Sequence, residues 1–287
     1  MTLKLAIPNK GRLSDRSVEL LSKAGLDIGE DWGRKLYVNV KGRDIEVMLV
    51  RAQDIPEFVY SGAIDFGITG LDQVEESGYA LENMLNLEFG YCRLSLAVPD
   101  GSPIKSGRDL KDGSRIATSF PKVTKRFFDS IDKEVDIIVI SGAAEIMPYL
   151  GVADCIVDLV STGSTLKINR LREAEVLFQS QAAVVASARA LSEKKEAMLE
   201  VTEAIRSVIA AENRKYLMAN VPRSMIAEVE RFLPGIGGPT VLEIAGNKDM
   251  VAVQAVVSYS QLYDAINDLR KIGATGILTL SMERLVE

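Results

Sequence analysis

Histidine is absent from all 287 residues. That removes His-based nucleophilic triads, His general bases and His metal ligands together. Cysteine is scarce as well. Cys92 and Cys155 stand 63 residues apart, each inside an apolar, strand-like run. Such thiols read as core residues rather than a disulfide or a metal pair, and they point to a reducing compartment. No apolar run approaches the roughly 18 residues of a membrane helix. The amino end, MTLKLAIPNKGRL, has no signal-peptide core. The expectation is a soluble, cytoplasmic chain with no membrane contact. No low-complexity tract interrupts it. The net charge of −6 speaks against nucleic acid as a partner. Small anionic substrates remain open, provided that cations cluster locally.

What is present is ordinary globular material, 47% hydrophobic and 26% charged, long enough for about two domains. Residues 3–7 read as a strand, 8–13 as a turn, and Ser14 as the cap of a helix to about Ala24. Lys10, Gly11 and Arg12 fall in that turn. In open α/β sheets ligands bind off the carboxyl ends of strands, so Lys10 and Arg12 are candidate phosphate contacts. Residues 36–40 and 44–50 read as a hairpin closed by Arg51. Asp54 reads as the cap of a helix over 55–60. Residues 65–69 form the next strand, which ends at Gly70, Leu71 and Asp72.

The chain is organised around residues 145–166, EIMPYLGVADCIVDLVSTGSTL. Glu145 to Leu150 reads as a helix end broken by Gly151. Residues 153–160 read as a buried strand reaching the sheet edge, with Asp154 and Asp158 inside it. Ser161, Thr162, Gly163, Ser164 and Thr165 follow. A strand that ends in an acid and turns through small, donor-rich residues into a helix can hold a ribose phosphate: the carboxylate takes sugar hydroxyls, and the turn takes the phosphate. The same pattern also suits an ordinary capped turn. Lys125 and Arg126, with Lys122, open a helix near another strand end and are further anion candidates.

An internal repeat ties these parts together. YSGAIDFGI at 60–68 and YLGVADCIV at 149–157 share Tyr, Gly and Asp at an offset of 89 residues. Two similar α/β lobes follow, with Gly70–Asp72 of one facing Asp158–Thr165 of the other across a cleft. Strand-like runs at 94–98 and 182–187 would cross between the lobes, and Ser192 would cap a long helix to about Lys215. This is the layout of two-lobed binding proteins. From Tyr216 the order β-α-β-β-α-β marks a ferredoxin-like unit, with an open face or edge for pairing between chains.

The spacing E-x5-G-x-A-x2-I-x-D-L-x2-T-G-x-T-L, from Glu145 to Leu166, resembles the signature of ATP phosphoribosyltransferase, the first enzyme of histidine biosynthesis. IPNKGRLS, GITGLD, ATSFPKVTKRF, LPGIGGPTV and KIGATGILTL also look like segments of that family, so the resemblance covers nearly the whole chain. It implies a two-lobed, periplasmic-binding-protein-like catalytic core with a C-terminal ferredoxin-like regulatory domain, the family's long form. The expected limits are residues 1–95 with 180–213 for the first lobe, 96–179 for the second, and 214–287 for the regulatory domain. The implied reaction moves phosphoribosyl from phosphoribosyl pyrophosphate to N1 of ATP. Carried over by position, Asp158 and Glu145 are the catalytic pair. Asp154, Asp158 and Ser161–Thr165 hold the sugar phosphate. Lys10, Gly11, Arg12, Arg51, Gly70, Asp72, Lys125 and Arg126 are candidates for ATP or phosphate. Mg²⁺ on the substrate phosphates, L-histidine as feedback inhibitor, and a homodimer or homohexamer are implied with it. The rival reading is a non-catalytic two-lobed small-molecule binding module.

Overall fold

The computed structural model describes residues 2–29 and 35–286. They fall into two compact units, Met1–Ser22 with Leu26–Thr202, and Lys23–Gly25 with Glu203–Glu287. The first unit begins with β1 (Leu3–Pro8), α1 (Ser14–Lys23), β2 (Tyr37–Asn39), β3 (Ile45–Val50), α2 (Ile55–Tyr60), β4 (Phe66–Gly70), α3 (Leu71–Ser77) and β5 (Glu82–Asn86). It continues through β6 (Cys92–Pro99), β7 (Ser114–Thr118), α4 (Pro121–Ser130), β8 (Val135–Val139), β9 (Cys155–Val160), α5 (Ser164–Ile168) and β10 (Leu171–Ser180). It closes with β11 (Ala182–Ala186) and α6 (Ala188–Glu212), whose carboxyl half already belongs to the second unit.

These strands build two sheets, ordered β2-β3-β1-β4-β11-β5 and β10-β6-β9-β7-β8. In the first, β1 runs parallel to β3 and β4, and β11 runs antiparallel to β4 and β5. In the second, β7 runs parallel to β8 and β9, and β6 runs antiparallel to β9 and β10. The run β3-β1-β4-β11-β5 therefore matches β8-β7-β9-β6-β10 strand for strand. The repeat seen in the sequence is a repeat of topology, with β4 and β9 as counterparts. Central strands are covered on both faces and read as continuous apolar runs. Leu5, Ile7, Phe66, Ile68, Ile116 and Ile156 are all fully buried. Each such side chain contributes about 1.5–3 kcal/mol.

The chain crosses between the sheets twice, and the crossings lie side by side. Leu87 N–H donates to Ala182 O and Ala182 N–H to Phe89 O, both at 2.9 Å. Neither β6 nor β11 runs through both lobes: each belongs wholly to one sheet. The turnover falls at residues 87–91 and at Gln181, a few residues from the expected limits.

Several local expectations shift. The strand expected to reach the sheet edge, β9, is the central strand of five. Glu145 sits on a single 3-10 turn, Ala144–Ile146, rather than at a helix end. Asp54 makes no side-chain cap to α2, because a 3-10 turn over Ala52–Asp54 already continues into the helix. Ser192 lies inside α6. The cap is Ser187, whose hydroxyl accepts Ala190 N–H at 3.1 Å. α6 kinks at Lys194, whose ammonium is held by Asp65 at 2.8 Å and Thr2 O at 3.0 Å. Two elements, α3 and β5, were not expected at all.

The second unit carries β12 (Arg214–Pro222), α7 (Ile226–Phe232), β13 (Thr240–Ile244), β14 (Asn247–Ser258), α8 (Tyr259–Lys271) and β15 (Thr275–Ser281). Its antiparallel sheet is ordered β13-β14-β12-β15, the ferredoxin-like arrangement. Leu217, Val221, Val251, Val253 and Leu269 form its core. The register places Leu242, Leu278 and Leu280 on the opposite face, 46–52% exposed. Among the described residues no helix is long and apolar enough to cross a membrane.

Candidate functional site

The repeat has a physical basis at each shared position. Gly62 and Gly151 both adopt positive φ, +77° and +69°, a conformation glycine reaches without steric cost. Asp65 and Asp154 both clasp the neighbouring parallel strand. Asp65 accepts Lys4 N–H at 2.7 Å and donates its own N–H to Lys4 O at 3.1 Å. Asp154 does the same with Arg115, at 2.8 Å each way. The Arg115 guanidinium adds a further contact at 2.8 Å and holds the Asp154 carboxyl below the usual range. Asp154 thus stands at the amino end of β9, about 13 Å along the strand from Asp158. The structure does not bring it to the other candidate ligands.

Asp158 and Glu145 lie within electrostatic reach of each other. Asp158 lies near the carboxyl end of β9, facing Ser95 of β6 in the register. Burial pushes its carboxyl up from the ordinary carboxylate value, and the charge of Glu145 adds to the rise. Its own partner is the Leu159 N–H at 2.7 Å. Glu145 reaches this place from the turn before β9. The preceding Ala143 adopts φ +54°, ψ +41°, a left-handed conformation that costs a non-glycine residue roughly 1–2 kcal/mol.

The loop after β9 is small and polar by construction. Gly163, at φ +78°, is the residue before α5. The Thr162 and Ser164 hydroxyls lie 3.0 Å apart. Ser161, Thr162, Ser164 and Thr165 are exposed. A helix start leaves its first amides without intrahelical acceptors, so the loop can offer N–H and hydroxyl donors together. Arg93 braces it from β6, donating to Ser161 O at 3.1 Å. The same guanidinium pairs with Glu173 of β10 at 2.5 Å, which lowers the Glu173 carboxyl. Glu173 also accepts the Ser95 hydroxyl at 2.7 Å. Arg93 and Glu173 were missed in the sequence, since only strand register places them beside the loop.

On the first lobe, Asp72 is 1% exposed. It accepts the Ser180 hydroxyl at 2.6 Å, Arg12 at 3.1 Å and Gln73 at 2.7 Å. Its N–H donates to Ser180 Oγ at 2.9 Å. Arg12 also donates to Gly90 O. Arg12 and Asp72 therefore meet each other at the crossing between lobes. Gly70 is required here by space: a Cβ would stand 2.2 Å from Asp72 Oδ1. The backbone at Gly70 is extended (φ −79°) and unstrained. Gly70→Ala is expected to lower the melting temperature through the displaced carboxylate alone, a loss of roughly 3–5 kcal/mol when a buried partner is broken. A thermal melt unchanged from the parent would disprove this.

The remaining candidates are placed plainly. Lys10, Gly11 and Arg51 lie exposed just past the carboxyl ends of β1 and β3. Lys125 pairs with Asp129 on its own helix at 2.8 Å. Arg126 pairs with Glu75 of α3 at 2.7 Å. A cavity of about 350 Å³ lies at the crossing, lined by Leu71, Cys92, Arg93, Ser161, Ser180 and Gln181 among others. It joins the turn after β4 to the loop after β9. Both cysteines are buried and free. Burial raises the Cys92 thiol and pushes the Cys155 thiol up to about 12, so neither suits a nucleophile. Among the described residues no three His, Cys, Asp or Glu side chains gather as a metal cluster.

Comparison with known proteins agrees along the chain. The family profile described as HisG, ATP phosphoribosyltransferase, matches residues 51–207, and the HisG C-terminal domain profile matches 211–284. An ATP phosphoribosyltransferase of Haloarcula marismortui is 45% identical over 99% of this chain and 100% of its own length. One from Methanopyrus kandleri is 43% identical over 99% of both. Among solved structures, a chain of the ATP phosphoribosyl transferase (HisG:HisZ) complex from Thermotoga maritima superposes with a TM-score of 0.63 at 32% identity. The match covers 71% of this chain and 99% of that one.

Proposed function

The chain belongs to the ATP phosphoribosyltransferase family, and from that membership we propose how its residues share the reaction. The enzyme transfers phosphoribosyl from phosphoribosyl pyrophosphate to N1 of ATP and releases pyrophosphate, the first step of histidine biosynthesis. The C1–oxygen bond to pyrophosphate breaks, and the electron pair leaves with the pyrophosphate. Adenine N1 supplies the pair for the new bond to C1. That nitrogen carries no proton to remove, so the chemistry calls for alignment and charge stabilisation rather than a strong base. A chain without histidine fits such a reaction.

One observation carries the assignment of the donor site. Asp158 lies at the end of a central strand, directly before the loop 161–165, and the charge of Glu145 is felt there. In our reading the Asp158 carboxylate accepts the ribose hydroxyls, with Glu145 beside it, and Ser161–Thr165 hold the 5-phosphate. Lys10 and Arg51 meet the phosphates of ATP, which neutralises charge locally on an acidic protein. Arg12 and Asp72 shape the crossing, where Leu71 lines the cavity. Lys125 and Arg126 have carboxylate partners and are left out of this reading.

The metal is proposed to be Mg²⁺, bound mainly by the diphosphate of the donor. Such an ion takes one or two carboxylates and keeps several waters, and the oxygens of Asp158 and Glu145 suit it. Bound there, it would stabilise the negative charge that develops on the departing pyrophosphate. We further assign L-histidine to the ferredoxin-like unit as a feedback inhibitor. The half-exposed Leu242, Leu278 and Leu280 suit pairing between copies, in a homodimer or homohexamer. We place the enzyme in the cytoplasm with its nucleotide substrates.

The test is release of pyrophosphate by this chain alone. With both substrates and Mg²⁺, pyrophosphate and phosphoribosyl-ATP are expected in equal amounts. A two-lobed binding module would release none, and that result would overturn the assignment.

A further inference from the structure

α3 was not expected from the sequence, yet it contacts the second lobe at both of its ends. It begins directly after Gly70, at the end of β4. At its amino end Asp72 is tied to Ser180, the last residue of β10 in the second lobe, by two hydrogen bonds of 2.6 and 2.9 Å. At its carboxyl end the Glu76 carboxylate crosses to the second lobe. Its two oxygens accept Lys122 N–H and Val123 N–H, each at 3.0 Å. These are first-turn amides of α4, the donors a helix leaves unmade. Lys122 Nζ returns to Ser77 O at 2.7 Å. Arg126 donates to Glu75 O at 2.9 Å and to its carboxylate at 2.7 Å. No residue of α4 itself supplies a side-chain cap to that helix.

From this geometry we propose that Glu76 is a positioning residue for the transfer. α3 is a strut, pinned at one end to the crossing and at the other to α4. Glu76 thereby fixes the gap between the lobe that carries Lys10 and Arg51 and the lobe that carries Asp158 and the loop 161–165. A reaction whose two partners sit on different lobes depends on that gap at the ångström level. Each partner's own binding depends on it far less. The inference rests on the reading that the phosphoribosyl donor lies on the second lobe.

The experiment compares Glu76→Ala and Glu76→Gln with the parent in steady-state kinetics with both substrates, alongside thermal melts. Glu76→Ala is expected to lower kcat about tenfold, with both KM values within twofold. Glu76→Gln keeps one oxygen at the α4 amides and should recover most of the loss. A purely structural role would lower the melting temperature and leave kcat per folded molecule unchanged, which would overturn the proposal. So would a rise in KM for one substrate alone, since Glu76 would then be a ligand. Should Glu76→Ala fold poorly, the exchanged pair Glu75→Arg with Arg126→Glu decides. Arg126→Glu alone should lower kcat and the double variant should restore it; no restoration overturns the strut. Failure of the underlying reading is separately visible, because Asp158→Asn would then leave the KM for phosphoribosyl pyrophosphate unchanged whatever Glu76 does.

Discussion

Replacing Asp158 by Asn is expected to lower kcat/KM for phosphoribosyl pyrophosphate by about 100-fold while the folded protein becomes more stable at neutral pH. The first half follows from the hydrogen bonds. A carboxylate accepts from two adjacent ribose hydroxyls, and hydrogen bonds to a charged group are worth about 1.5–3 kcal/mol each. An amide keeps one acceptor and presents a donor to the other hydroxyl. A net loss of about 3 kcal/mol is about 100-fold. The second half follows from the carboxyl group's environment. Burial, and then Glu145, raise the Asp158 carboxyl above its ordinary value. A carboxyl whose folded pKa is raised binds its proton more tightly in the native state. Its favourable contribution is complete below the unfolded value, near 3.9, and is lost as pH rises through the folded value. At pH 7 the ionised group therefore opposes folding of the free enzyme, and Asn removes that penalty. Asp158→Asn should melt higher than the parent at pH 7, and the difference should shrink as the pH falls into the carboxylate range. Unchanged kcat/KM would remove Asp158 from the sugar site. A lower melting temperature at pH 7 would contradict the electrostatic account.

The proposed donor side is a reading the sequence itself offers, because its residues are local. Asp158, Gly163 and the small polar residues around them lie within a few positions of one another, and one strand-to-helix turn brings them together. The C-terminal unit was equally legible, because alternating strands such as β14 and an amphipathic α8 announce themselves by period. Pairings set by register were not legible. Arg93 braces Ser161 O only because β6 lies beside β9, and Glu173 reaches both Arg93 and Ser95 only because β10 flanks β6. Asp154 misled for a related reason. Its position in the repeat was real, but the repeated Asp is a strand clasp, as Lys4–Asp65 and Arg115–Asp154 show. Lys125 and Arg126 are cations beside a strand end, a pattern that looks the same in sequence whether the partner is a phosphate or a carboxylate; in this structure they pair with Asp129 and Glu75. α3 escaped notice because LDQVEES is short and its periodicity weak. Its role comes from contacts 45–51 residues away in the chain.

Removal of the second unit is expected to abolish inhibition by L-histidine altogether while leaving pyrophosphate release. Where the chain is cut matters. The last turns of α6 belong with the second unit: Ser207 O accepts Leu285 N–H at 2.7 Å, and the Ser207 hydroxyl accepts Arg284 Nε at 2.8 Å. Ile205, Val208 and Ala211, in the part of α6 that groups with the second unit, are 0–1% exposed. Residues 203–287 are therefore the piece to remove, at the division between the units. What remains keeps both sheets, both crossings, the α3 strut and the loop 161–165, and with them the proposed donor and acceptor groups. What is lost is a ferredoxin-like sheet with helices on one face and Leu242, Leu278 and Leu280 half-exposed on the other. An effector that binds there acts on the reaction only through a difference in its affinity for two states of the enzyme, and without its site that coupling is zero. Inhibition curves for the full and shortened chains, with calorimetric titration of histidine into each, measure this with and without turnover. Histidine bound by the shortened chain, or still inhibiting it, would place the effector site in the catalytic unit and end the regulatory assignment.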